Sequence, residues 1–157
     1  MFLQTDRHFS EAINRFGCYF LSILCQAEIR RNRAFTKDDI ISIFISAKNT
    51  GIVSKERYSE TNPTVLVDGC FVSDPVSIFT LAGIRIQSIK KEDANYVAKE
   101  NEIEILQYYR PANFPNGQTN SEHYHFVASK NGKVIFDPLG QSNAVKFGYV
   151  KSKRIFS

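Results

Sequence analysis

The stretch around Asn131-Gly132 predicts a β-hairpin, and a hairpin at this point restricts how the end of the chain can fold. Two short apolar runs, 126–128 and 134–136, flank this polar pair. Asn-Gly between apolar runs is a strong short-range signal for a tight turn between antiparallel strands. The number of residues in the turn then decides which side chains meet across the two strands.

The length of this turn places Asp137 either beside His125 or away from it. A two-residue turn puts Asp137 opposite Phe126, on the wrong face of the hairpin for His125. A three-residue loop closed by Gly132 in the left-handed region puts His125 directly opposite Asp137. Directly opposed residues have Cβ atoms about 4.5–5.5 Å apart, which suits a hydrogen bond between an imidazole and a carboxylate. We expect the three-residue loop and this hydrogen bond, in which the carboxylate would orient the histidine.

The length and composition are those of an ordinary globular protein. With 157 residues, 43% of them hydrophobic, the chain is most simply one domain, 1–157, with enough apolar material for a core. The formal net charge is +4, but the basic residues are dispersed and form no stripe interleaved with aromatic residues. We therefore expect no nucleic-acid partner, and the sequence leaves the oligomeric state open.

The cysteine content and the start of the chain bear on its cellular location. Three cysteines in a chain of this length do not form a disulfide framework, which favours a reducing compartment. The N-terminal residues lack the basic and apolar regions of a signal peptide, and no segment approaches the length of a transmembrane helix. We expect a cytoplasmic protein that makes no membrane contact.

A helix is predicted to begin at Cys18. Gly17 interrupts the apolar pattern at its start, and basic residues at 30–33 suit the negative end of the helix dipole. The apolar positions that keep the helical period are 16, 19, 20, 23, 24 and 27.

Helix-start signals and apolar runs predict the remaining elements. These are helices from Thr36 to Gly51 and from Ser73 to Gly83, strands at 84–89, 103–109 and 151–156, and a polar loop at 111–122. Helices come first and strands follow. This order predicts an α+β domain with N-terminal helices packed on an antiparallel sheet.

Cys18 is the candidate nucleophile because of its predicted place in the first turn of a helix. Unpaired backbone N–H groups and the positive end of the helix dipole lower the pKa of a thiol there. Its own N–H could also bind an oxyanion, and Gly17 leaves room beside it for a substrate backbone. The alternative is a small buried hydrophobic residue, which is the interpretation we favour for Cys25 and Cys70.

A metal site is a further alternative. His123 and His125 are two residues apart on one strand face, so they could form a metal pair with Cys18 or Asp137. A zinc site usually contains closely spaced pairs of Cys or His, and no such pair of cysteines occurs here. We therefore expect neither a metal ion nor a cofactor, and His123 is then a candidate pocket residue.

Short motifs near both ends of the chain carry a family resemblance. They are Gly17-Cys18 with Phe20-Leu21-Ser22-Ile23, then His125-Phe126-Val127, and Asp137-Pro138-Leu139-Gly140. The set resembles the C39-like branch of the papain-like cysteine peptidases. That branch has Gly-Cys opening a helix, His-aromatic-Val on a strand and Asp-Pro ending the next strand. The overall pattern, including the ending Lys153-Arg154-Ile155-Phe156, is also similar to an uncharacterised bacterial and phage-associated family predicted to be papain-like.

The resemblance implies a papain-like fold and a role for each matching residue. It implies Cys18 as nucleophile, His125 as general base and acid, and Asp137 as the residue that orients the histidine. Such peptidases complete the oxyanion hole with a glutamine before the cysteine, and Gln4 is the glutamine in that position here.

The substrate site is less well defined by the sequence. Gly17, Tyr19 and His123 are the residues that we expect to contact the substrate. Tyr19 follows the cysteine where the C39-like branch often has a small residue or proline.

These expectations combine into a cysteine peptidase or amidase. It would hydrolyse a peptide, isopeptide or peptidoglycan amide through a thioester, and transglutaminase-like acyl transfer would use the same triad. The alternative from another class is a catalytically inactive papain-like binding module, for example a phage or host-interaction protein. A nucleic-acid binder is the third possibility, and it would show affinity that depends steeply on salt.

Overall fold

The structure is a computed structural model of the chain, and it describes residues 1–111 and 124–157. The helices in this part are α1 (Glu11–Phe16), α2 (Cys18–Arg31), α3 (Lys37–Asn49), α4 (Pro75–Leu81) and α5 (Asn143–Phe147). The strands in it are β1 (Arg57–Tyr58), β2 (Leu66–Asp68), β3 (Ile89–Glu92), β4 (Ile103–Tyr109), β5 (Tyr124–Lys130), β6 (Lys133–Phe136) and β7 (Tyr149–Phe156). The predicted loop at 111–122 lies, except for Pro111, outside the described residues.

An antiparallel sheet forms one layer of the fold, and helices pack on it. Its strand order is β3-β7-β4-β5-β6, with every neighbouring pair antiparallel, while β1 and β2 form a separate two-stranded sheet. Helix α2 packs against β5 and β4, and α4 packs against α2 and α3. The predicted α+β class, with helices and antiparallel sheet, is confirmed. Within the described residues, no helix has both the length and the apolar character needed to cross a membrane.

The hydrophobic core lies between the helices and the sheet. Phe20 of α2 meets Phe44 of α3, and Phe79 of α4 packs edge-on against Phe156 of β7, with ring centroids 4.9 Å apart. These aromatic side chains are almost fully buried. Burial of rings this large contributes much of the apolar driving force that holds the helices to one another and to the sheet.

The helix starts follow from local sequence. Helix α2 begins at Cys18 as predicted, and α3 begins after a capping box in which Thr36 and Asp39 exchange side-chain and backbone hydrogen bonds. Gly17 joins α1 to α2 at a point without room for a side chain. A Cβ atom there would lie 2.6 Å from the backbone oxygen of Ile13.

One predicted strand is wrong in position. The apolar residues at 84–89 predict a strand, but residues 84–88 have no regular structure and β3 begins only at Ile89. Ile84 and Ile86 pack against the core from this irregular segment. The edge position of the sheet is taken instead by the charged residues of β3, which pair with β7, and charged side chains suit an exposed edge.

The sequence prediction also missed structure near the C-terminus. Helix α5, capped by the Ser142 side chain, was not predicted. The last strand begins at Tyr149, two residues before its predicted start.

The hairpin formed by β5 and β6 turns in two residues, so the predicted three-residue loop is wrong. Asn131 and Gly132 both have positive φ, 52° and 75°, and Lys130 pairs with Lys133. A type I′ turn needs positive φ at both central residues, which Asn-Gly supplies at low cost.

A β-bulge in β6 corrects the register that this short turn would otherwise impose. Ser129 pairs with Val134, but Ala128 pairs with Phe136, so Ile135 is an extra residue. Continuing this register beyond β6 brings Asp137 level with Val127, a residue that shares its strand face with His125. The bulge therefore brings Asp137 to the strand face of His125, as the three-residue loop was expected to do.

Candidate active site

Cys18 lies at the N-terminus of α2, partly exposed, on the wall of an open cleft of about 640 Å³. As the first residue of the helix, it carries one of the backbone N–H groups that have no partner within the helix. The backbone N–H groups of Tyr19 and Phe126 both donate to its sulfur. The thiol thus lies in a position that favours negative charge.

Two buried polar side chains fix α2 on the sheet. The Ser22 hydroxyl donates to the carbonyl oxygen of Phe126 (3.1 Å), and the Gln26 side-chain amide donates to the carbonyl oxygens of Glu104 and Ser129 (both 2.7 Å). Together with Cys18 they are spaced by four residues, so all three lie on one face of the helix. These bonds set the rotation of α2 about its axis and its position along β5, and thereby the place of Cys18.

We expect Ser22→Ala to lower the free energy of unfolding by about 1–3 kcal/mol, because the Phe126 carbonyl loses its donor. Urea unfolding measures this change. Ser42→Ala, at an exposed position of α3, is the matched control and should stay within about 0.5 kcal/mol of the wild type. Equal stability of the two variants would show that the Ser22 bond does not hold the helix.

His125 connects the cysteine to a carboxylate. Its ring is buried (3% exposed), and Nε2 lies 2.7 Å from Oδ1 of Asp137, so the predicted hydrogen bond is confirmed. Since Nε2 faces the carboxylate, Nδ1 is the nitrogen left for the hydrogen bond between His125 and the Cys18 thiol. Asp137 is held in turn by the backbone N–H groups of Leu139 (3.0 Å) and Ser142 (2.8 Å).

Cys18, His125 and Asp137 shift one another's pKa values in the directions that favour the charged form of each side chain. Burial raises the pKa of Cys18, but its hydrogen bond with His125 and the charge of the imidazolium outweigh burial, so the net shift is downward. Burial lowers the pKa of His125, but hydrogen bonds with Asp137 and Cys18 raise it to about 9. Burial also raises the pKa of Asp137, whereas the bonds from His125 and Ser142 lower it to about 2. These shifts favour a thiolate–imidazolium–carboxylate arrangement of the three side chains.

The other two cysteines have the opposite electrostatics. Cys25 and Cys70 are buried, and burial raises the pKa of both thiols, that of Cys25 to about 12. Cys70 contributes to the cleft wall, but the thiolate charge of Cys18 raises its pKa further. Among the three cysteines, only Cys18 has a pKa shifted in the direction that a nucleophile requires.

Gln4 lies close to the start of α2. Its Nε2 donates to the carbonyl oxygen of Asn14 (2.9 Å), and its backbone N–H donates to that of Pro138 (2.7 Å). Asn14 is four residues before Cys18, so its carbonyl points to where a continuous helix would place the Cys18 N–H. An amide has two N–H donors, so the second N–H of the Gln4 side chain remains to donate to an oxyanion. The side chain is not among the cleft-lining residues, and its role stays a prediction.

The predicted substrate-contacting residues differ in position. The Tyr19 side chain lines the cleft and stacks on Phe126, with ring centroids 4.3 Å apart. Gly17 is buried, and the side on which a Cβ would lie faces Ile13 rather than the cleft, so its small size serves the junction between α1 and α2. His123 lies outside the described residues.

Sequence reasoning missed several residues around the cysteine. Ser22 and Gln26 carried a usable signal, because polar residues four and eight positions after Cys18 interrupt an otherwise apolar helix. Arg154 and Phe126 also line the cleft. Arg154 gave no such signal, because only the pairing of β7 with β4 brings it near the cysteine.

Within the described residues, no group of three or more His, Cys, Asp or Glu side chains is arranged to hold a metal ion.

Comparisons with known proteins give a family but no function. Neither the curated proteins nor the solved structures provide a match. One family model covers residues 1–157. The chain therefore belongs to the family described as protein of unknown function, DUF261.

Proposed function

We propose that this chain is a papain-like cysteine hydrolase that cleaves a peptide, isopeptide or peptidoglycan amide through a thioester. One observation carries the proposal. A partly exposed cysteine at a helix N-terminus has its pKa lowered by a histidine that is itself hydrogen-bonded to a buried aspartate. The chain order of Cys18, His125 and Asp137, on a helix and an antiparallel sheet, supports the papain-like assignment.

The first half of the reaction forms the thioester. The Cys18 thiolate attacks the amide carbonyl carbon, and the Cys18 N–H with the free N–H of Gln4 would hold the resulting oxyanion. Nδ1–H of His125 then gives its proton to the leaving nitrogen as the C–N bond breaks. Asp137 keeps the ring oriented and stabilises its positive charge until that transfer.

The second half of the reaction releases the acid. His125, now neutral, takes a proton from a water molecule as the water oxygen attacks the thioester carbonyl. The C–S bond breaks, the carboxylic acid leaves, and the thiolate–imidazolium pair is restored. We place this chemistry in the cytoplasm, where the free thiols of the chain stay reduced.

The pH dependence of Cys18 alkylation by iodoacetamide tests the proposal. We expect a midpoint well below the ordinary thiol value of about 8.5. In His125→Ala the midpoint should rise above that value, because the imidazolium is lost while burial, which raises the pKa of Cys18, remains. Peptide mapping by mass spectrometry separates Cys18 from Cys25 and Cys70.

The other two cysteines serve as internal controls in this experiment. Their buried thiols should stay unlabelled below about pH 8.5 in both proteins. A Cys18 midpoint of about 8.5 that does not change in His125→Ala would refute the proposed hydrolase activity. An inert Cys18 would do the same, and either result would favour a binding module with a papain-like fold.

A further inference from the structure

The cleft beside Cys18 contains a cation without an acidic partner. Apart from the Cys18 thiol, the described lining of the cleft carries three charged side chains, Arg15, Asp68 and Arg154. Arg15 pairs with Glu11 (3.3 Å), and Asp68 accepts hydrogen bonds from Ser54 and the backbone. No Asp or Glu of the described residues lies within ion-pair distance of Arg154.

Neutral groups hold the Arg154 guanidinium in place. Its nitrogens donate to the Ser152 hydroxyl (2.9 Å) and to Oε1 of Gln107 (3.3 Å), and its central carbon lies 5.5 Å from the centroid of the Phe126 ring. A guanidinium has five N–H donors, so this arrangement fixes its orientation without using them all. Such a preorganised fork suits a carboxylate, which it can bind through two parallel hydrogen bonds.

A second polar group on a side chain of the cleft wall has no hydrogen-bond partner among the described residues. The Tyr19 hydroxyl is buried and has no hydrogen-bond partner in the described part of the chain. Its ring stacks on Phe126, which is also the ring that the Arg154 guanidinium faces, so the two side chains share one neighbour. A buried hydroxyl without a partner costs about 1–3 kcal/mol, and an acceptor bound in the cleft would remove that cost.

We propose that Arg154 and the Tyr19 hydroxyl form a subsite that binds a carboxylate group of the substrate. The subsite rests on the proposed function and deepens it, since it would make the hydrolase selective for substrates that carry a carboxylate group near the scissile bond. Phe126 links the subsite to the reaction centre. Its backbone N–H donates to the Cys18 sulfur, and its ring contacts both the Arg154 guanidinium and the Tyr19 ring. The recognised carboxylate therefore lies along the cleft from the scissile bond, and it belongs either to an acidic side chain or to a peptide C-terminus.

Calorimetric binding to Cys18→Ala protein tests the subsite without requiring turnover. Three probes separate the sources of the carboxylate: acetyl-Ala-Glu-Ala-amide, acetyl-Ala-Ala-Ala with a free C-terminus, and neutral acetyl-Ala-Gln-Ala-amide. We expect one carboxylate peptide to bind at least about tenfold more tightly than the neutral peptide, as a charge-assisted contact predicts. The preference should disappear in Arg154→Gln and persist in part in Arg154→Lys.

Two further variants complete the design. Arg15→Gln removes the same charge from an exposed side chain of the cleft lining and should leave the preference intact. Tyr19→Phe should weaken the preference several-fold, and this variant decides the matter if Arg154→Gln fails to fold. Equal binding of all three peptides, no binding of either carboxylate peptide, or a preference that survives both Arg154→Gln and Tyr19→Phe would overturn the subsite. A reactive Cys18 without the preference removes only the subsite, whereas the preference with an inert Cys18 supports the subsite and removes the hydrolase.

Discussion

Replacing Lys153 with methionine should lower the free energy of unfolding by about 3–5 kcal/mol, because it leaves the buried carboxylate of Glu104 without its cation. Nζ of Lys153 lies 2.8 Å from Oε1 of Glu104, and the two side chains are 7% and 2% exposed. The other oxygen of Glu104 accepts from the Ser129 hydroxyl and the backbone N–H of Gly132, both at 2.8 Å. One carboxylate thus joins β7 and β4 to the turn of the hairpin that carries His125.

Urea unfolding with matched variants isolates this effect. Lys151→Met, at an exposed position of the same strand, should change the stability by less than about 0.5 kcal/mol. The double variant Glu104→Gln with Lys153→Met should regain part of the loss, because the amide oxygen still accepts from the hairpin and no charge is buried. If Lys153→Met were no worse than Lys151→Met, the buried pair would contribute nothing to the fold.

The features predicted correctly from the sequence are those that local chemistry decides. Cys18 begins α2 because Gly17 interrupts an apolar pattern, and α3 begins at a capping box formed by Thr36 and Asp39. Each signal lies within a few residues of its effect. The position of the candidate nucleophile could therefore be read from the sequence before its surroundings were known.

The contact between His125 and Asp137 was predicted correctly, but the predicted route to it was wrong. Asn131 and Gly132 formed the short turn that their conformational preferences favour, and a bulge at Ile135 restored the contact. Ile135 is 44% exposed, so the apolar run that contains it does not follow the burial of the strand. Nothing local to that run indicates the extra residue, since a bulge is defined by the partner strand.

The groups that shape the cleft could not be predicted because they come from distant parts of the chain. Arg154 is on the last strand, Phe126 is on β5 and Tyr19 is in the first turn of α2. Sheet pairing and the packing of α2 bring them together. The misplaced strand at 84–89 has the same origin, because pairing with β7 rather than apolar character decides where β3 begins.

Replacing Asp137 with asparagine should slow the alkylation of Cys18 at pH 6 by about tenfold or more, since an opposite charge in contact shifts a pKa by about 1–3 units and each unit changes the thiolate fraction tenfold below the thiol pKa. The aspartate helps to raise the pKa of His125 to about 9. Without its negative charge the imidazolium is less stable, so the proton returns to the Cys18 sulfur and less thiolate is present. The iodoacetamide rate constants of the wild type and the variant measure the change.

The pH dependence distinguishes this electrostatic effect from a distortion of the site. The side chain introduced by Asp137→Asn is isosteric, but its amide would meet the backbone N–H of Leu139 or Ser142 with a donor, so some loss of stability accompanies the substitution. Asp74→Asn, at the N-cap of α4 where the carboxylate accepts hydrogen bonds from Ser77, is the control and should leave the rate unchanged. Above the thiol pKa of both proteins Cys18 is fully ionised, so an electrostatic effect must vanish there and the two rates must converge. A rate that stays low in Asp137→Asn at every pH would instead assign Asp137 a purely structural role, because misplacement of the ring does not depend on the protonation of the thiol.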